Sequence, residues 1–293
     1  MPADTSQPRT PDTLHADQVT FWSGEGGNIW LAREVRTDAM LATLGGRALA
    51  AAAARSGEAV LDVGCGTGPT SRALARAVAP SGSVLGLDLS EAMMAEASRR
   101  AAAEGLANVR FVAGDASAYA FAPASIDLLF SRFGVMFFGD PVAAFMHLRR
   151  AIKPRGRLAF LCWRPFKENP WAFVPFMAAV PFLPPMPRPA PTDPGPFAFG
   201  DRDHVQRILA GAGFADITID PIDDQAVLQA SSADDAAAQA VELGPMTRLL
   251  RDAPEAARQQ AIEAVSKALA PYMSEGAIRL STACWLVKAV NPG

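Results

Sequence analysis

The sequence predicts a doubly wound α/β fold, on three observations. Short apolar runs, such as Val60-Leu61-Asp62-Val63 and Ser83-Val84-Leu85-Gly86-Leu87-Asp88, are separated by helical patterns; runs of this kind suit parallel strands covered on both faces. The β-α alternation repeats five times up to Trp163, which predicts a parallel sheet wrapped by helices. The first run leads directly into Gly64-Cys65-Gly66-Thr67-Gly68-Pro69. That is a glycine turn opening a helix, where backbone amides and the positive helix end favour an anionic group.

Taken in order, residues Met1 to about Val19 read as a loose arm. Phe21 to Trp30 place Trp22 and Trp30 on either side of a glycine-rich turn. The two tryptophans are either core anchors of the arm or part of a lid with glycine hinges. Helices are expected over Leu31–Leu44 and, separately, over the Ala-rich Arg47–Arg55. Strand two ends at Asp88, 24 residues after Gly64, with Ser90 as the N-cap of the next helix. Ligands of open parallel sheets sit beyond the carboxyl ends of the strands, so Asp88 is placed to accept ribose hydroxyls, or else simply starts a turn. The third strand runs over Asn108–Val112 into Gly114-Asp115-Ala116, and the fourth over Ser125–Ser131 into the apolar loop Arg132–Phe138. Asp140-Pro141 begins a helix, Lys153-Pro154-Arg155-Gly156 ends it, and Arg157–Trp163 is strand five.

The segment 166–200 breaks the alternation. It is rich in Pro and Phe and reads as a cap loop, either tethered to the surface or shaping a substrate pocket. Beyond it, Asp201 caps a helix, Phe214–Asp220 and Gln225–Gln229 alternate as strands, residues 233–272 read as helices with breaks at Gly244-Pro245 and Ala253-Pro254, and Ala277–Val290 is the last strand. The organisation is therefore an arm and lid helix over 1–45, a ligand-binding core over 46–165, the cap over 166–200, and 201–293 completing the same domain with a helical insertion over 233–272.

Composition narrows the function. Half of the 293 residues are hydrophobic and the net charge is −3, which argues against a nucleic-acid face. Cys65, Cys162 and Cys284 form no CxxC pair, so neither a metal site nor a disulfide framework is expected, and a reducing cytoplasm is the simplest setting. No signal peptide is expected at the start of the chain. The uncharged run Pro170–Pro187 holds six prolines, too many for a membrane-spanning helix.

Four pieces of the sequence together carry a resemblance. LDVGCGTG (Leu61–Gly68), GLDLSEAMM (Gly86–Met94), GDAS (Gly114–Ser117) and LRRAIKPRGRLAF (Leu148–Phe160) resemble the motifs of the class I S-adenosylmethionine-dependent methyltransferases, most of all the small-molecule branch similar to enzymes of quinone biosynthesis. The departure is Arg155, which stands where that family usually has the first of two glycines. The resemblance implies a Rossmann-like, seven-stranded sheet with one antiparallel strand. It implies S-adenosyl-L-methionine as cofactor, its methionine part at the glycine turn, its ribose at Asp88 and its adenine at Asp115 and Ala116. The expected cofactor set is Asp62, Gly64, Cys65, Gly66, Asp88, Leu89, Met93, Asp115, Ala116, Ser131 and Phe133, with Trp22 and Trp30 from the lid. The implied reaction is methyl transfer to a small, apolar or aromatic acceptor. No catalytic base is assigned among His15, His147 and His204, and the oligomeric state, monomer or homodimer, is open. Three rivals remain: a nicotinamide-dependent dehydrogenase, disfavoured because the spacing is G-x-G-x-G and not G-x-G-x-x-G; a non-catalytic protein on the same fold; and a methyltransferase acting on a macromolecule.

Overall fold

Strands β1 (Ala59–Val63), β2 (Ser83–Asp88), β3 (Val109–Ala113), β4 (Ile126–Arg132) and β5 (Ile152–Trp163) pair in parallel in the order β3-β2-β1-β4-β5. The computed structural model describes residues 10–184, 190–242 and 253–293, with Met246 and Leu250. β6 (Ala215–Gln229) closes the sheet through β8 (Ala277–Val290), which is antiparallel to both β5 and β6. The expected seven-stranded path with one antiparallel strand is present, and the two-residue β7 (Met273–Ser274) adds a short eighth strand against β8. β1, flanked by β2 and β4, is apolar on both faces, with Val60, Leu61 and Val63 all buried, as a central parallel strand requires.

Capping accounts for the helix starts. Thr10 accepts the Thr13 amide at 3.3 Å for α1 (Pro11–Ser23), Ser90 the Met93 amide at 3.3 Å for α4 (Glu91–Ala103), and Asp140 the Ala143 amide at 3.0 Å for α5 (Pro141–Ala151). α2 (Glu25–Ala52) packs against β4, β5 and β6, and α3 (Pro69–Val78) against β1 and β2; α6 (Pro170–Ala179) follows β5 and α7 (Arg202–Gly211) precedes β6. α8 (Ala233–Ala240) and α9 (Glu255–Leu269) lie between β6 and β8.

Several expectations are corrected. The loose arm contains a helix, α1; residues 1–9 lie outside the described residues. Two separate helices over 31–55 are one, because Gly45 does not stop α2: an added Cβ there would stand 3.3 Å from the Arg132 guanidinium, so the glycine makes room for a packed side chain. Lys153–Gly156 belongs to the start of β5, not to a helix end, and Arg155 holds a φ of +63° in the left-handed region that favours glycine. Phe214–Asp220 and Gln225–Gln229 merge into one 15-residue strand, with Pro221 tolerated because β6 is an edge. The cap loop holds a helix, α6, which carries Pro175. Residues 185–189 of the cap and the Gly244-Pro245 break lie outside the described residues, while Pro254 does cap α9. Among the described residues no helix is long and apolar enough to cross a membrane.

Among the described residues two large apolar cores result, with a small third cluster of Cys65, Met93, Met94 and Ala97. The larger joins both faces of the sheet through Phe130, Phe145, Phe160 and Phe199. The smaller lies under α6, α8 and α9, against the ends of β6 and β8. α2 is tied to α4 by a buried ion pair: Glu34, 3% exposed, takes both Nη atoms of Arg100, the Nη2 contact at 2.6 Å. Burial alone would raise the Glu34 pKa, but the Arg100 guanidinium holds it below the usual carboxylate range. Arg100 also reaches Glu96 at 2.6 Å. Removing Arg100 leaves Glu34 buried and unpaired, whereas removing Glu34 leaves Arg100 a second partner. Arg100→Ala is therefore expected to lower stability by about 3–5 kcal/mol and Glu34→Ala by about half as much, read from urea denaturation midpoints; equal losses would refute the asymmetry.

Candidate functional site

The carboxyl ends of β1, β2, β3 and β4 meet the glycine turn, and two aspartates frame it. Asp62, in β1, is fully buried; its Oδ2 accepts the hydroxyls of Thr70 at 2.7 Å and Ser71 at 2.6 Å, both in the first turn of α3. Its Oδ1 is buried without a partner. Desolvation pushes the Asp62 carboxyl up to about 6, against the pull of those two hydroxyls. Asp88, half-buried at the end of β2, accepts the Gly66 amide on Oδ2 at 3.0 Å and the Ser90 amide on Oδ1 at 3.1 Å. Asp88 thus fixes the turn and opens the next helix at once. Burial raises its pKa despite the two amides.

The turn itself is backbone brought close to backbone. Gly64, Gly66 and Gly68 hold φ values of +66°, +55° and +77°. A Cβ on Gly64 would stand 2.7 Å from the Gly134 Cα of the loop after β4. Trp30 lies over the turn, its Nε1 3.6 Å from where a Cβ on Gly66 would be, with the Met93 sulfur at 3.9 Å from the same point. Trp22, on α1, packs edge-on against Trp30 and Phe137 at 6.3 and 5.0 Å between centroids, and its buried Nε1 has no partner.

At the third strand end, Asp115 Oδ1 accepts the amide and hydroxyl of Ser117, each at 2.8 Å, and Oδ2 lies 2.7 Å from His15 Nε2. Burial would raise the Asp115 pKa; Ser117 and His15 hold it below the usual range. His15 and Asp115 are 100 residues apart, and no sequence period signals their meeting. Sequence reasoning also missed Arg132, which crosses to Asp38 of α2 at 2.6 Å. Its position beside the fourth strand end was the only signal.

The structure thus gathers Asp62, Gly64, Gly66, Asp88, Met93 and Trp30 around one turn, with Leu89 half-buried beside Asp88. Asp115 and the buried Ala116 stand at the neighbouring strand end, and Trp22 spans from α1 to the loop after β4. Two candidates look inward. Cys65 packs with Met94, 3.9 Å between sulfurs, and burial pushes its thiol pKa up. The buried Ser131 hydroxyl donates to the Val63 carbonyl at 2.8 Å and accepts the Gly134 amide at 3.2 Å, tying β4 to β1. Phe133, at φ +62°, stacks on Trp163 at 4.2 Å with the ring planes 8° apart.

Residues 60–156 match the methyltransferase domain family. Over 120 residues, 41% of the chain, the sequence is 33% identical to aklanonic acid methyltransferase DauC of Streptomyces sp. strain C5, covering 54% of that protein. Over 107 residues, 36% of the chain, it is 37% identical to demethylmenaquinone methyltransferase of Staphylococcus aureus, covering 44%. The chain thus spans about half or less of the curated relatives it matches. Among solved structures, the YcgJ protein of Bacillus subtilis aligns with a TM-score of 0.55 at 19% identity, over 84% of this chain and 97% of that one. The 4+2 cyclase SpnF aligns at 0.50 and 19%, over 84% and 80%; at these identities the likeness is one of fold. Residues 60–156, a third of the chain, thus match the methyltransferase domain family, and the chain shares its fold with the solved structures it aligns with.

Proposed function

We propose that this chain binds S-adenosyl-L-methionine at the glycine turn and directs its methyl group to a small, apolar or aromatic acceptor, leaving S-adenosylhomocysteine. The observation that carries the reading is the pair of aspartates framing a turn whose glycines leave no side chain in the way. Asp88 gives each carboxylate oxygen to one backbone amide, and a carboxylate oxygen retains capacity for a second donor, here a ribose hydroxyl. Asp62 keeps one buried oxygen without a partner, which suits the positively charged methionine end. Asp115 takes the adenine end, and Trp22 and Trp30 shield the site from water. The relatives support this reading: two matched proteins are named methyltransferases of small molecules.

Bound, the cofactor supplies a methyl group already activated on a sulfonium centre. The protein's part is then positioning and water exclusion. No histidine is free to serve as base at the turn: His147 Nε2 is bonded to the Tyr119 carbonyl at 2.8 Å, His15 holds Asp115, and His204 lies in the first turn of α7 with its pKa lowered by burial. This favours an acceptor that reacts without a histidine base. All three cysteines are free and buried, which supports work in a reducing cytoplasm; the acidic net charge supports a small-molecule partner over nucleic acid.

Calorimetric titration with S-adenosylhomocysteine, and separately NAD, tests the reading. The first is expected to bind and the second not, and Asp88→Ala is expected to weaken the first at least a hundredfold. Binding of NAD alone, or unchanged affinity in the variant, overturns it. Asp62 adds a second test. Its raised pKa means that the folded protein holds a proton more tightly than the unfolded chain. The folded state is therefore undiminished below about 3.8 and loses stability as pH rises to about 6. That interval corresponds to about 3 kcal/mol. Asp62→Asn removes the titration, so its stability relative to wild type is expected to rise by about this amount between pH 4 and pH 7.5, while its affinity for S-adenosylhomocysteine falls. A stability difference that stays flat with pH would refute the assignment of a charged Asp62.

A further inference from the structure

α1 lies across the strand ends at which the candidate site is built, and contacts at both of its ends hold it there. Near its start, His15 Nε2 lies 2.7 Å from Asp115 Oδ2. Asp115 is held below the usual carboxylate range and is ionised at neutral pH, so the imidazole N–H donates. Beside that bond the helix rests on Gly139, in the loop before α5. A Cβ on Gly139 would stand 2.5 Å from the His15 Cβ and 2.6 Å from the Pro11 carbonyl oxygen. At the far end of α1, Trp22 packs edge-on against Phe137 and Trp30. Apolar burial adds little, because Leu14 is the buried side chain among the thirteen residues, and a helix of this length is marginal in water without packing. A single residue, Gly24, separates α1 from α2.

With α1 in this position the Asp115 carboxylate is taken up. Oδ1 accepts both the amide and the hydroxyl of Ser117 at 2.8 Å, which uses its two lone pairs. Oδ2 is the oxygen that remains, and His15 occupies it. His15 offers Oδ2 what an adenine amino group would offer, a nitrogen-borne hydrogen at the edge of a flat heteroaromatic ring. A second ring cannot bring its own nitrogen to about 2.9 Å from Oδ2 along the same approach. The donors differ in what their loss would disturb. Ser117 is two residues from Asp115 and belongs to the same turn, whereas His15 is 100 residues away on a separate helix. His15 is therefore the donor that leaves without unravelling the loop after β3. The closed position also carries its own cost, since the Trp22 Nε1 is buried there without an acceptor.

We propose that α1 is an autoinhibitory strap: His15 occupies the Asp115 oxygen that the adenine amino group takes, and the cofactor enters when α1 swings away at Gly24. A ligand that binds only the open form has its affinity reduced by the fraction of chains that are open, so anything that loosens α1 tightens binding. Two features of the closed form, the His15–Asp115 bond and the close seat on Gly139, can each be removed without touching the glycine turn, Asp62, Asp88 or Asp115. The inference rests on the cofactor reading, and its test separates the two.

Hydrogen exchange of the α1 amides is measured on the ligand-free full chain, and S-adenosylhomocysteine binding by calorimetry and stopped-flow fluorescence. Two variants loosen the strap by different means. His15→Ala removes the bond. Gly139→Ala leaves His15 and Asp115 intact and wedges the helix off its seat; the Gly139 backbone lies outside the left-handed region, so alanine suits it. In both variants α1 is expected to exchange at least tenfold faster than in wild type, and S-adenosylhomocysteine to associate at least tenfold faster and bind at least threefold tighter. Either variant alone keeps the test decisive should the other fold poorly. Exchange of α1 unchanged from wild type, or affinity equal to or below wild type, in a folded variant would overturn the proposal; weaker binding would make His15 part of the wall that holds the ligand. Faster α1 exchange in both variants with no S-adenosylhomocysteine bound by any form would support the latch and defeat the cofactor reading.

Discussion

A carboxylate buried with half of its capacity unmet is the constraint on which this structure turns. Asp62 sits in the central strand, holds the first turn of α3 through two hydroxyls, and leaves one oxygen without a partner. An uncompensated buried charge works against the folded state. Its neighbours show what that position requires. The glycine turn follows directly, Gly64 must pass within contact of Gly134, and Asp88 anchors the turn from the next strand. An apolar residue at Asp62 would fit the strand better and would leave the Thr70 and Ser71 hydroxyls without their acceptor. Stability is therefore spent beside the glycine turn, and local rules of this kind are commonly broken at functional sites.

The same edge is assembled from parts distant in sequence, and α2 brings them together. Along this one helix Trp30 covers the turn, Glu34 takes Arg100 of α4, Asp38 takes Arg132 at the end of β4, and Met40 reaches the cap. Trp30, Glu34 and Asp38 recur every four residues, so one helical face meets the glycine turn, α4 and the end of β4 in succession, and Met40 follows two residues on. α1 adds a second closure, with His15 on Asp115 and Trp22 on Phe137. The N-terminal arm is thus joined to the sheet edge by specific polar and aromatic contacts, one at the end of β3 and one at the loop after β4.

What was legible in the sequence follows from what is local. The strand ends, the glycine turn, Asp88 and the capping residues Ser90 and Asp140 were readable because each is fixed by neighbours a few residues away. Misreadings arose where tertiary contact overrode local preference. Gly45-Gly46 looks like a helix stop until Arg132 is laid against it. Arg155 and Gly156 look like a helix end until the Arg155 amide is seen donating to the Asn291 carbonyl at 2.8 Å. Cys65 and Ser131 stand at the right places in the motifs, but their side chains face sulfur and backbone. Adjacency along the chain says nothing about which way a side chain turns at a strand end. The meeting of His15 with Asp115 has no local signature at all.

The division between what is shared and what is particular to this chain also follows the structure. The matched domain, residues 60–156, holds Asp62, the turn, Asp88 and Asp115. α6, α8, α9 and the paired ends of β6 and β8 lie beyond it. The cofactor end is constrained by hydrogen-bond geometry, which permits few alternatives, whereas an apolar wall can be rebuilt from many side chains of suitable volume. Sequence likeness should accordingly fade where polar geometry gives way to packing. In this chain that boundary falls near Trp163, the last residue of β5 and the first ring beyond Phe133 on the way to the cap.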